Sequence, residues 1–162
     1  MLYDVYKDRV YSVSFYFFHG DEAIAADVTQ QVFLKLITTI GQYKGDAAFS
    51  TWLYRLVVNA CQDAARRRKT AGWGAVSRTD DLAVPGSQET DRARSEISGL
   101  VREAVSALPP KFRIAVLLRY FDDLSYEQMA KALHCSMGTV ASRLSRGHKM
   151  LAERLNGLRS GR

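Results

Sequence analysis

Apolar residues recur at steps of three and four along most of this chain, the period of an α-helix with one buried face. Leu2, Tyr6, Val10, Val13 and Phe17 predict a helix over residues 2–18, ended by His19-Gly20-Asp21. A second helix follows from about Glu22 to Ile40, its apolar face broad because Ile24, Val28, Val32, Phe33, Leu36 and Ile40 wrap around it. Gly41 to Ser50, with Gly45 inside it, reads as a loop. A third helix begins near Thr51, turns Trp52, Leu56 and Ala60 inward, and runs out into Arg66-Arg67-Arg68-Lys69. Three helices within roughly 70 residues make a small bundle.

The period is lost over residues 70–96, where Gly72, Gly74, Pro85, Gly86, Ser87 and an acidic run from Asp80 mark a flexible linker. It resumes at Ile97, Leu100, Val101, Ala104, Val105 and Leu108 and is stopped by Pro109-Pro110. Phe112 to Phe121 forms the next helix, and Leu124 to Lys149 reads as a helix, a three-residue turn and a second helix. Ser125 caps the first of that pair, with Gln128 completing a capping box. Met129, Ala130 and Leu133 give it an apolar face. His134-Cys135-Ser136 interrupt the period, and Ser136 caps a helix opening at Met137-Gly138-Thr139. Val140, Leu144, Gly147, Leu151 and Leu155 line its inner side. Thr139, Ser142, Arg146 and Lys149 fall opposite, with Arg143 at the border. The expected fold is all-α: two small helical domains, residues 1–69 and 97–158, joined by the linker 70–96. Domains of this size bury only about 60% of their unfolded surface, so a large partner that holds both makes physical sense.

Charge adds a direction to this picture. The net charge of +6 is uneven: residues 1–69 carry +2, residues 70–96 carry −2 and residues 97–162 carry +6. The formal excess lies with the helix pair, as expected for an end that meets phosphate; a solvated basic surface is the plainer reading of the same numbers. The apolar fraction of 47% argues against wholesale disorder. Cys61 and Cys135 form no C-x-x-C pair, so a reduced, cytoplasmic location is expected. His19, His134 and His148 have no metal-ligand spacing, and neither a metal nor a cofactor is expected. No apolar run is long enough to span a membrane, and the mixed charges among the first residues are not those of a signal peptide.

A short face bearing Arg and Ser on the second helix of such a pair is the geometry that enters a DNA major groove. The first domain carries a different signal. Tyr43-Lys44-Gly45-Asp46 leads into Phe49-Ser50-Thr51-Trp52-Leu53, with Arg55, Asn59 and Arg66 behind it. Aromatic rings beside a basic helix suit single-stranded nucleic acid, because an unstacked base stacks on a ring while a cation holds its phosphate. Trp52 itself falls on the inward stripe and reads as core.

These segments resemble a known family. Ala25-Ala26-Asp27-Val28-Thr29-Gln30-Gln31-Val32-Phe33, Tyr43-Lys44-Gly45-Asp46 with Phe49-Ser50-Thr51-Trp52-Leu53, Leu108-Pro109-Pro110-Lys111-Phe112-Arg113, Leu124-Ser125-Tyr126-Glu127 and Gly138-Thr139-Val140-Ala141-Ser142-Arg143-Leu144 stand in the order of the extracytoplasmic-function group of bacterial sigma-70 factors. The resemblance implies that residues 1–69 are a sigma region 2 bundle, that residues 97–158 are a region 4 helix-turn-helix, and that regions 1.1 and 3 have no counterpart. It implies docking of Asp27, Gln30, Gln31, Phe33 and Leu34 on the polymerase clamp helices, and core polymerase (clamp helices and flap) as a partner. Lys44, Gly45, Asp46, Phe49, Ser50, Arg55, Asn59, Arg66 and Arg67 would receive the melted −10 strand. Arg113, Ser136, Thr139, Ser142, Arg143, Arg146 and Lys149 would meet the −35 duplex. An anti-sigma factor is a further partner that the resemblance implies, with no membrane insertion.

The chain departs from the family pattern at three positions. Ala26 and Gln31 stand where a glutamate is usual, which weakens charge pairing with the clamp. Ala141 stands where a basic residue usually follows Gly-Thr-Val, so the family's −35 preference does not transfer. The linker reaches at most about 90 Å when extended and averages about 30 Å as a coil, against about 70 Å for two duplex turns, so the polymerase must set the span. Its acids Asp80, Asp81, Glu89, Asp91 and Glu96 suit a basic RNA channel. A free-standing helix-turn-helix regulator explains the second domain but leaves the Asp27–Phe33 surface and the Phe49–Trp52 loop without a purpose. An enzyme would need a carboxylate or nucleophile constellation that these scattered acids do not form.

Overall fold

The computed structural model describes residues 1–72 and 89–161. Seven α-helices make up the described architecture: α1 Leu2–Phe17, α2 Glu22–Thr39, α3 Phe49–Thr70, α4 Glu89–Ser106, α5 Pro110–Asp122, α6 Tyr126–Leu133 and α7 Met137–Ser160. A single 3-10 turn, Ile40–Gln42, follows α2. Asp21 starts α2 by accepting the Ile24 backbone amide at 3.0 Å, satisfying one of the donors that every helix start leaves free. The capping box of α6 is complete: Ser125 Oγ accepts from the Gln128 amide, and Gln128 Oε1 accepts from the Ser125 amide. His134 ends α6 in the left-handed region, and Ser136 caps α7.

Two expectations change. The helix expected to resume at Ile97 begins at Glu89, inside the expected linker. Residues 89–96 carry no apolar period, so periodicity alone could not place this start. Asp80 and Asp81 lie outside the described residues. In α3 the buried residues are Thr51, Leu53, Tyr54, Val57, Val58, Cys61 and Ala64, so the core stripe lies one position along from the Trp52, Leu56 and Ala60 expected to form it. Those three pack only partly buried against the core.

One apolar core runs through both units. Within the first, α1, α2 and α3 pack on one another; within the second, α5, α6 and α4 pack around α7. Gly147 sets the closeness of α5 and α7, since a Cβ there would lie 2.9 Å from Val116 Cγ2. Across the units, α1 packs on α4 and α5, and α3 packs on α6. The Tyr16 and Phe121 rings meet at 5.2 Å.

Arg113 lies at the centre of this junction, 7% exposed. Its Nε donates to Val105 O at 3.3 Å, Nη2 to Ser106 O at 3.0 Å and Leu108 O at 2.7 Å, and Nη1 to Phe17 O at 2.9 Å. One guanidinium thus serves the carboxyl ends of α4 and α1 together, where helix dipoles favour a cation. Nearby, Arg9 pairs with Asp122 at 3.4 Å, the Asp122 side chain being 2% exposed. The Tyr54 hydroxyl adjoins the same carboxylate. Burial raises the Asp122 pKa, against the opposing pull of Tyr54 and Arg9.

Candidate nucleic-acid interface

The first candidate surface follows from the crossing of α2 and α3. Their helices leave a groove of about 720 Å³ lined by Gln31, Lys35, Leu56, Asn59, Arg66 and Arg67, among others. Arg67 Nη2 donates to Gln31 Oε1 at 3.1 Å, and Gln31 Nε2 donates to Asp27 Oδ2 at 3.0 Å. Gln31 can do both because its amide both donates and accepts, which a glutamate at this position could not. Arg66 is held by Asp63 at 2.7 Å. Asp27 and Gln30 are exposed on α2, and so are Leu34 (56%) and Ile37 (70%). Phe33 does not join them. It is 7% exposed, with the Tyr3 ring edge-on at 4.8 Å, so its expected role in docking yields to a core role.

The loop before α3 is closed by the Tyr43 hydroxyl, which donates to Ala47 O at 2.6 Å. Gly45 takes φ +76°, a conformation that favours glycine. The rings of Tyr43, Phe49 and Trp52 lie 5.4–5.9 Å apart and form one aromatic cluster. Trp52, half-buried, lines a cleft of about 230 Å³ with Tyr43, Lys44, Asp46, Arg55 and, from α6, Lys131. Ser50 is also half-buried, whereas Lys44, Gly45, Asp46, Arg55, Asn59, Arg66 and Arg67 are exposed. Of the expected strand-binding residues, the structure brings Lys44, Asp46 and Arg55 to this cleft together with Tyr43, Trp52 and Lys131, whereas Asn59, Arg66 and Arg67 line the α2–α3 groove instead. Tyr43 belongs to the motif already singled out in the sequence. Lys131 was beyond sequence reasoning, because it arrives through packing between the two units.

The second surface is the outer side of α7. Val140, Leu144 and Gly147 are buried and hold the helix to the core. Ser142, Arg146 and Lys149 are exposed, and Arg143 is half-buried. Ser136 Oγ accepts the Thr139 amide at 3.1 Å and sits 2.9 Å from Thr139 Oγ1, so both hydroxyls are engaged in starting the helix. Met137, Gly138, Ala141, Ser145 and His148 complete the exposed stripe and were not among the expected contacts. Helical spacing carried that signal, because residues four, eight and eleven after Met137 share its face. Arg113 is the clear departure: buried and bonded to four carbonyls, it has no guanidinium edge to offer to DNA.

No group of His, Cys, Asp and Glu among the described residues is arranged to hold a metal ion. Among the same residues, no helix is long and apolar enough to cross a membrane. Cys61 and Cys135 are both unpaired as disulfides, and burial pushes the Cys61 thiol up to about 12.

Comparison with known proteins places these surfaces in a lineage. Residues 2–71 match sigma-70 region 2, and residues 98–151 match sigma-70 region 4. The chain is 33% identical to the RNA polymerase sigma-H factor of Pseudomonas aeruginosa, covering 94% of this chain and 83% of that one. It is 30% identical to the ECF RNA polymerase sigma factor SigW of Bacillus subtilis, with 96% and 87% covered. The corresponding figures for the sigma-E factor of Escherichia coli K12 are 31%, 94% and 84%. The fold is shared with the sigma factor RpoE of Bartonella quintana, solved with the anti-sigma factor NepR (TM-score 0.77, 21% identity, 96% and 94% covered). It is shared as well with CnrH, solved with the cytosolic domain of CnrY (TM-score 0.70, 18% identity, 96% and 86% covered). With both sigma regions matched and relatives aligned over nearly its whole length, the chain belongs to the sigma-70 family as an RNA polymerase sigma factor of the extracytoplasmic-function type, a specificity subunit and not an enzyme.

Proposed function

We propose the following division of labour for this sigma factor. Asp27, Gln30, Gln31 and Leu34, extended by Ile37, dock on the clamp helices of core polymerase. The Tyr43–Trp52 aromatic cluster, with Lys44, Gly45, Asp46, Phe49, Ser50, Arg55, Asn59, Arg66 and Arg67, receives the melted −10 strand. The outer side of α7, through Ser136, Thr139, Ser142, Arg143, Arg146 and Lys149, reads the −35 duplex. The observation that carries this reading is the difference in kind between the two surfaces: a ring-lined cleft in the first unit and a narrow helix face with cations toward its far end in the second. Extruding a base costs a few kcal/mol, and stacking on a ring returns about 1–3 kcal/mol. The two are of one size, so strand opening there can select sequence.

The working compartment in this reading is the cytoplasm, with core polymerase (clamp helices and flap) and promoter DNA as partners. An anti-sigma factor is a further partner by similarity with the Bartonella factor. A mainly apolar groove of about 330 Å³ between the units, lined by residues including Tyr16, Val101, Tyr120 and Phe121, is a surface it would cover. Run-off transcription with core polymerase tests the assignment. Arg146→Ala should reduce initiation that depends on the −35 element while leaving core association intact. Asp27→Ala should weaken core association on every template. Wild-type behaviour of each variant in its matching assay would overturn the division.

A further inference from the structure

The exposed stripe of α7 is uneven along its length, and the unevenness points to a kind of base. Its first two turns present Met137, 53% exposed, then Gly138, Ala141 and the hydroxyl of Ser142, with no cation before Arg143. The hydroxyls of Ser136 and Thr139, the polar groups nearest this end, face one another at 2.9 Å. Arg143 is half-buried, and the exposed cations Arg146 and Lys149 come only in the later turns. The early turns of a recognition helix are the ones that reach base edges, while the rest lies along the backbone. An Arg or Lys there would select guanine through O6 and N7, and an Asn or Gln would select adenine. This chain offers neither. What remains on the major-groove edge for an apolar side chain is the thymine C5 methyl.

We propose that Met137 and Ala141 are specificity-determining residues that read thymine methyl groups in the −35 element, with Gly138 and Ala141 small enough to let α7 approach closely. This rests on the assignment of α7 to the −35 duplex and deepens it by naming the base feature that the helix selects. The later cations then anchor to phosphate, so that position and sequence are read by different turns of one helix. Ala141, where a basic residue is usual in the family, becomes part of the reading surface instead of a missing contact.

The test removes the methyl and nothing else. Promoters are first selected from a library randomised in the −35 region, using holoenzyme assembled from the full chain and core polymerase. Selected sites should contain thymine, on either strand, opposite the early turns of α7. Thymine is then replaced by deoxyuridine at each position, and holoenzyme binding is measured. Burying one methyl is worth about fourfold in affinity, so deoxyuridine at one or two positions should weaken wild-type binding by roughly that factor. Met137→Ala should bind the thymine promoter more weakly and become insensitive to deoxyuridine at the position it touches. Ala141→Lys should shift library selection toward guanine. Selected sites without thymine, or a deoxyuridine effect of equal size in wild type and Met137→Ala, would overturn the proposal. Failure of the underlying assignment looks different: scrambling the whole −35 region, or replacing Arg146 by Ala, would then change nothing.

Discussion

At the scale of single residues, burial and charge give His19 a sharp pH signature. It ends the first helical segment at φ +61°, half-buried. Burial first, then the Arg113 and Arg68 guanidiniums, lowers its pKa to about 4. The unfolded chain, with an ordinary histidine value near 6.5, therefore takes up the proton first. The stability that this imidazole supplies is complete above about pH 6.5 and is lost as pH falls toward about 4. Asp122 works in the opposite sense, since its raised pKa makes the folded state take up the proton more readily than the unfolded chain. Its contribution grows as pH falls through its folded-state value. Replacing His19 by Asn, which tolerates a left-handed backbone, should flatten the loss of stability between pH 6.5 and 4 and leave the Asp122 contribution in place. Urea midpoints of the two proteins at pH 7 and pH 5 check this, and equal pH slopes would refute it.

At the scale of elements, local chemistry was legible and contacts across the fold were not. The pair α6 and α7 could be read because its punctuation is local: Ser125 with Gln128, then His134, then Ser136. In α3 the sequence offers apolar residues on neighbouring stripes, and packing chose Leu53, Tyr54, Val57 and Val58 over Trp52, Leu56 and Ala60. That choice moves Trp52 from the core to the aromatic cleft, so the error touched the candidate site itself. Phe33 and Arg113 were misplaced for a related reason. Their partners, Tyr3 and the Phe17 carbonyl, come from α1, 30 and 96 positions away. Gly147 could be placed on the inner stripe from its spacing, but the reason for a glycine there, Val116 packed against it, comes from another helix. Alanine there would gain up to about 1 kcal/mol of helix propensity, but overpacking against a β-branched neighbour costs about 1–3 kcal/mol. Gly147→Ala should lower stability by about 1 kcal/mol, visible as a lower denaturation midpoint. An unchanged or raised midpoint would mean that α5 and α7 can separate freely.

At the scale of the whole molecule, the units lie folded together, with α6 against α3 and Lys131 beside the aromatic cleft. Promoter elements two turns apart demand about 70 Å between the reading surfaces. The connection between α3 and α4, residues 71–88, reaches at most about 60 Å, and the width of the two units adds to that reach. If α7 and the aromatic cleft read the two elements as proposed above, promoter binding requires the junction to open. Arg9→Glu places a second carboxylate against Asp122 at that junction. The variant should keep its helical content, show a larger radius of gyration in solution scattering, and bind core polymerase faster than wild type. Identical scattering and association rates would show that this pair does not hold the units together. The Arg113 bonds carry a last consequence, which is kinetic. Three of its four carbonyl partners belong to its own unit, and only Phe17 lies across the junction. Opening thus breaks one of these bonds and leaves the guanidinium aimed. Reclosure needs no rearrangement around Arg113, only the return of the α1 end, and joining two parts of one chain by a short connection is fast compared with finding another molecule. A factor released after initiation would fold back on itself before it meets another polymerase, so that each round of transcription begins from the same closed form.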